Sequence, residues 1–215
     1  MGDLHPATIA IMAVNILFSI KGFNDYDFKS KYLFQIGAIR RGEQVRMISS
    51  AFLHANPQHL FVNMLTLYFF ANPVIYRLGV FQFVVVYIGS LLIGNLLSYF
   101  FHKDEYHYSA FGASGAVSGV LYAAILLNPD MMLGLFFIIP MPAYVFGIGY
   151  LLYSIYGMRA QNDNIGHDAH FGGAVGGYVI TLILKPSLFE TSLLMVCLLA
   201  IPIVVLLVMH KLGKI

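Results

Sequence analysis

The chain contains no tryptophan, one cysteine and little charge, with only 10% of its residues Asp, Glu, Lys or Arg. A lone thiol, Cys197, rules out a disulfide framework, and its apolar surroundings suit a small buried hydrophobe. Twelve Lys plus Arg against ten Asp plus Glu leave a formal charge of +2, too weak a field to recruit nucleic acid. No internal repeat is visible, which argues against the inverted halves of a secondary transporter. The weak alternation of a membrane β-barrel is absent as well. The chain is instead rich in apolar length: 59% of its 215 residues are hydrophobic and the mean hydropathy is +0.78, outside the globular range.

Seven apolar stretches can be marked, at 6–20, 60–76, 80–101, 113–127, 131–156, 170–184 and 191–209. Backbone groups in hydrocarbon must be satisfied within their own segment, so runs of this length are expected to be helices. The expected fold is therefore all-α: a polytopic transmembrane helical bundle in one domain over 1–215, with a core at about 6–185 and an additional C-terminal span at about 191–209. Met1-Gly2-Asp3-Leu4 has no basic residue and no small-residue cleavage site follows Ile20, so the first stretch is expected to be a retained helix.

Two stretches are short. At about 1.5 Å per residue, 113–127 reaches roughly 22 Å against a hydrocarbon core of about 30 Å. Asn128-Pro129-Asp130 fixes its far end at a surface, which places its N-terminus, with Ser114, at membrane depth. The polar run 102–109 must descend to meet it, lining a wet cavity. The stretch 170–184 is as short, so His170 starts at a similar depth. The long connection 21–50 interleaves Lys29, Lys31, Arg40, Arg41 and Arg46 with Tyr32, Phe34 and Ile36. It fits an interfacial segment or a solvated loop equally well.

The turn into the fourth stretch reads Phe111-Gly112-Ala113-Ser114-Gly115-Ala116-Val117-Ser118-Gly119. Gly112 permits close backbone approach, the helix start offers free N–H groups to a developing oxyanion, and Gly115 with Gly119 smooths one face. Taken alone this is ordinary membrane helix packing. Ser118 is a competing nucleophile one turn deeper, although mid-helix serines usually bond their own backbone. The sixth stretch opens Gly166-His167-Asp168-Ala169-His170, and His170, Gly173 and Gly177 share a face. If that stripe packs on Gly115 and Gly119, hydroxyl and imidazole can approach hydrogen-bond distance. Asp168, two residues before His170, points to nearly the opposite face, so the expectation is a Ser114–His170 dyad. His59 and Asn63, one turn apart in the second stretch, can donate to an oxyanion or act as interhelical glue.

Taken together, His54 and His59 before Asn63, the Gly112-Ala113-Ser114-Gly115 turn, and Ala169-His170 followed by Gly173 and Gly177 resemble the rhomboid family of intramembrane serine proteases. The resemblance runs from about residue 42 to 184. It implies a six-helix core with a seventh C-terminal helix, a Ser114 and His170 dyad, and an oxyanion site from the Ser114 N–H, His59 and Asn63. His54, Gly112, Gly115, Gly119, Gly173 and Gly177 are expected to support the site. It further implies transmembrane protein substrates cleaved near one face after small side chains, with neither cofactor nor metal. The chain departs from the family at two places. Val45-Arg46 stands where members often carry Trp-Arg, and Ser118 stands where many place an aromatic beneath the catalytic imidazole. Tyr122, Phe111 and Tyr153 are candidates for the missing ring.

The family order places the N-terminus and the second, fourth and sixth connections in the cytoplasm, whereas Lys and Arg counting favours the inverse, since that side holds only Arg77 and Lys185. The protein is expected to be a multi-pass component of the plasma membrane. Pro140 and Pro142 break 131–156, and the polar 157–166 connection could lift to admit substrate. Three other classes compete, the third of them a transporter. A metalloenzyme would use His54, His59, His167 and His170, but HExxH is missing. A non-catalytic rhomboid-like binder of membrane clients would not need both Ser114 and His170.

Overall fold

A computed structural model of the chain describes residues 3–135 and 139–215. In chain order the elements are α1 (Pro6–Asn24), α2 (Tyr26–Tyr32), β1 (Phe34–Gln35), α3 (Ile36–Arg40), α4 (Arg46–Ser49), α5 (Pro57–Leu78), α6 (Val80–His102), β2 (Ser109–Ala110), α7 (Ser114–Leu127), β3 (Met132–Leu135), β4 (Ile139–Pro142), α8 (Ala143–Ala160), α9 (His167–Leu184), α10 (Leu188–Thr191) and α11 (Leu193–Lys211). The expected helical bundle is present. α1, α6 and α11 are long and apolar enough by length and composition to cross a membrane, and α7 is a shorter apolar helix. The chain is an integral membrane protein.

The centre of the bundle is α7. Thirteen of its fourteen residues are buried, all but Ser114, which fits a helix that is hydrophobic all round and wrapped by others. α9 packs most extensively on α6 and α7, and α5 also packs on α7. The three central helices meet through glycine. A Cβ on Gly94 of α6 would lie 2.7 Å from the Ala169 carbonyl oxygen, and one on Gly172 would lie 2.9 Å from Gly94 Cα. Close backbone approach of this kind gives membrane helices a dispersion-packed seam where no hydrophobic driving force exists.

Three expectations need correcting. The stretch 131–156 is not one helix. β3 and β4 form an antiparallel ribbon with Met132 opposite Pro142 and Gly134 opposite Pro140, and α8 begins only at Ala143. Prolines have no N–H to give a helix ladder, but a two-stranded ribbon tolerates them at its edges. The sixth stretch begins earlier than expected, since α9 starts at His167 and places His170 one turn inside it. Cys197 is exposed on α11, not buried.

The connection 21–50 is folded rather than loose. β1 pairs with β2 in the register Phe34–Ala110 and Gln35–Ser109, which ties it to the strand leading into α7. Arg46, 7% exposed, donates from Nε to Glu43 Oε2 at 2.8 Å and from one terminal nitrogen to the Ser30 and Leu33 carbonyls at 2.8 and 2.9 Å. Asn95 of α6 donates to the Met47 carbonyl at 2.7 Å. Val45, 61% exposed, does not anchor the segment; the arginine does.

Candidate active site

Ser114 is the first residue of α7. Ala113 precedes it with no side-chain cap, and the first helical bond runs from the Val117 N–H to the Ala113 carbonyl at 2.9 Å. By position, the N–H groups of Ser114, Gly115 and Ala116 are left without partners inside the helix and face the approach to it. Gly112 has φ +139, a conformation that a side chain at this position would strain. Its N–H donates to the Ser50 carbonyl at 3.0 Å. A Cβ there would also collide with His59, 2.7 Å from Cε1 and 3.0 Å from Nε2, and would stand 3.6 Å from Ser114 Oγ. Hydroxyl and imidazole thus flank the one residue that leaves room between them.

His59 and His54 sit edge to face, with ring centroids 5.0 Å apart. The Ala55 N–H donates to His59 Nδ1 at 3.4 Å, which assigns the remaining ring proton to Nε2, the nitrogen that faces Gly112. The Ala113 N–H donates to His54 Nε2 at 3.5 Å, so His54 Nδ1 carries the proton and donates to Ser19 Oγ at 2.8 Å. Ser19 passes its own hydrogen to the Phe52 carbonyl. Burial pushes the His54 imidazole down to about 3, and the neighbouring His59 adds to the effect. His54 is therefore a neutral strut behind the Ser114 turn. Asn63, 4% exposed, gives one amide hydrogen to the His59 carbonyl at 3.1 Å and keeps the second.

The glycine seam brings α9, which carries His170, against α7, which carries Ser114. A Cβ on Gly173 would fall 2.0 Å from the Gly115 carbonyl oxygen, one on Gly177 2.1 Å from the Gly119 carbonyl oxygen, and one on Gly115 3.2 Å from the Ala169 carbonyl oxygen. Ser114 and His170 are the chain neighbours of that last contact, one on each helix. Among the described residues no hydrogen bond joins Ser114 Oγ to His170; catalytic hydrogen bonds are commonly long before substrate binds. Asp168 turns away as its helical position requires, its Oδ2 lying 3.4 Å from His102 Nε2.

Sequence reasoning missed three features. Ser118 does not bond its own helix backbone: its hydroxyl lies 2.7 Å from the Tyr150 hydroxyl. The Tyr150 ring lies 6.0 Å from the His170 ring and within 20° of parallel to it. The candidate rings are engaged elsewhere: Phe111 lies under Lys29, Tyr122 donates to the Gly147 carbonyl, and Tyr153 stands edge-on to His167 at 5.1 Å. His167, 3% exposed, holds both Asp163 carboxylate oxygens at 3.1 Å. The Ile165 N–H, and after it His167, keep the Asp163 carboxyl below its usual value. No group of three or more His, Cys, Asp or Glu among the described residues is arranged to hold a metal.

A rhomboid domain family model matches residues 41–187. RHOMBOID-like protein 12, mitochondrial, of Arabidopsis thaliana is 29% identical over 71% of this chain and 50% of its own length. Presenilin-associated rhomboid-like protein, mitochondrial, of Homo sapiens is 33% identical over 61% of this chain and 35% of its own. Putative rhomboid protease YdcA of Bacillus subtilis is 29% identical over 67% of this chain and 69% of its own. The chain thus spans half or less of the two mitochondrial relatives.

Proposed function

This chain belongs to the rhomboid family, and from that premise we propose that it is an intramembrane serine endopeptidase acting on transmembrane proteins through Ser114 and His170. The observation that supports the reading is the backbone contact of Gly115 with Ala169 and Gly173, since these residues adjoin Ser114 on α7 and flank His170 on α9. In the proposed reaction Ser114 Oγ attacks the scissile carbonyl while His170 takes its proton. The oxyanion receives the Ser114 N–H, the His59 Nε2–H and the free Asn63 amide hydrogen. Collapse breaks the C–N bond, and His170 passes the proton to the departing amine. Water then hydrolyses the acyl-serine by the same route.

Membrane-protein substrates belong to this proposal as well. The expected plasma membrane finds no support, since two of the relatives named above are mitochondrial. The test is cleavage of a single-span reporter by the purified chain, together with labelling of Ser114 by a fluorophosphonate. Ser114→Ala and His170→Ala are each expected to reduce cleavage to background with an unchanged melting temperature. Cleavage surviving in either variant rejects the dyad.

A further inference from the structure

The His170 imidazole, one turn inside α9, turns freely about χ2 unless something lies against its face. Ser118 stands where family members often carry that something, and it has no ring to offer; its hydroxyl pairs with Tyr150 instead. The ring arrives from another helix. Phe146 and Tyr150, one turn apart on α8, lie near-parallel at 6.2 Å and 9°, and Tyr150 continues the stack to His170 at 6.0 Å and 20°. Both separations fall within the range where aromatic rings attract beyond their area. Ser118 then acquires a role: its hydroxyl tethers the Tyr150 hydroxyl at 2.7 Å, so the serine and the tyrosine together replace one aromatic side chain.

The seat of α8 is built around the same turn. Tyr122 of α7 donates to the Gly147 carbonyl, and a Cβ on Gly147 would lie 3.0 Å from Ile125 Cδ1 and 3.4 Å from Leu199 Cδ2. α7 and α11 therefore grip α8 three residues before Tyr150.

We propose that Tyr150, tethered by Ser118, is the positioning residue of His170, and that its place on α8 makes the orientation of the base depend on α8 being docked against α7. The inference rests on the dyad reading above. Removing the ring leaves His170 present but misaimed, a loss of kcat and not of substrate binding, and a misplacement of about 1 Å can cost on the order of 10²-fold.

The experiment measures fluorophosphonate labelling rate, reporter kcat and KM, and melting temperature for the full chain and for Tyr150→Leu, Tyr150→Phe, Ser118→Ala and the Tyr150→Phe/Ser118→Ala double variant. Tyr150→Leu is expected to lose about 30-fold in labelling rate and kcat with KM within about twofold. Tyr150→Phe keeps the ring and is expected to lose about threefold, Ser118→Ala the same, and the double variant no more than either, because both remove one hydrogen bond. Tyr150→Leu labelling at the wild-type rate, or Tyr150→Phe falling as far as Tyr150→Leu, overturns the proposal while leaving the dyad standing. An unreactive wild-type chain overturns both. Should Tyr150→Leu lose its melting transition, Ser118→Ala decides alone: an unchanged labelling rate at an unshifted melting temperature overturns the tether.

Discussion

α9 and α8 both pack against α7, but they do so through different materials. Along α9 a Cβ on Gly173 or Gly177 would fall 2.0 or 2.1 Å from a carbonyl oxygen of α7, whereas one on Gly147 of α8 meets only side-chain ends, 3.0 Å from Ile125 and 3.4 Å from Leu199. Backbone cannot step aside and a methyl group can. The α7–α9 seam therefore has one solution, while the α8 seat has room for several. Ser114 and His170 are carried by the rigid seam, and the ring that faces His170 comes from the adjustable seat.

The largest effect should come from adding one methyl group to each side of this comparison. Gly173→Ala forces the seam apart and is expected to cost about 3 kcal/mol, the upper end for overpacking, with most of the folded yield lost. Gly147→Ala displaces two mobile side-chain ends and should cost about 1 kcal/mol or less. Thermal unfolding in detergent reads both, and equal costs would break the distinction between seam and seat. A smaller change sharpens it from the other direction. Leu199→Ala removes α11's contact with Gly147 and is expected to cost about 2 kcal/mol, the low end for a buried leucine. Amide exchange should then quicken across α8 and stay unchanged across α9; faster exchange in both would mean that α11 supports the whole bundle.

What was legible in the sequence follows the same division. The seam was readable because Gly115 with Gly119, and Gly173 with Gly177, repeat at the spacing that puts residues on one helix face, and a backbone contact needs no side-chain detail to be foreseen. Asp168 was placed correctly for the same reason, two residues from His170 and turned to His102. The seat was not readable. Nothing in the spacing of Phe146 and Tyr150 says which neighbouring helix their rings will face, and Ser118 gives no sign that its partner lies on α8. The apolar stretch is bounded at His170 because His167 and Asp168 are polar, although both read as opening the helix; Asp163 and His102 pair with them there. The ribbon β3–β4 was hidden because an apolar run with two prolines reads equally as a kinked helix.

The segment leading from β1 to α5 belongs with the rigid side. Ser50 takes the Gly112 N–H, His54 takes the Ala113 N–H, and Asn95 takes hold of Met47. Arg46→Ala unties Glu43 and the Ser30 and Leu33 carbonyls together, and it is expected to cost about 2 kcal/mol, since buried carbonyls lose a charged donor. The smallest test isolates the outermost member of that group. Arg46, donating its hydrogen bond, holds the exposed Glu43 carboxyl below its usual value of 4.5. A carboxyl depressed by folding contributes fully above the unfolded value of about 4.5, and the contribution disappears as pH falls through the lower folded value. Amide protection factors in the 34–52 segment, which are corrected for the pH dependence of intrinsic exchange, should therefore fall by about twofold on acidification through that window, as suits an exposed pair. Glu43→Gln should already show the lower protection near neutral pH and show no such step. The glycine contacts named above between α7 and α9 are to backbone atoms, so protection factors there should stay level across the same range. If acid loosened the seam as much as the loop, the turn at Gly112 would be transmitting the change, and the rigidity assigned to the Ser114 side would not hold.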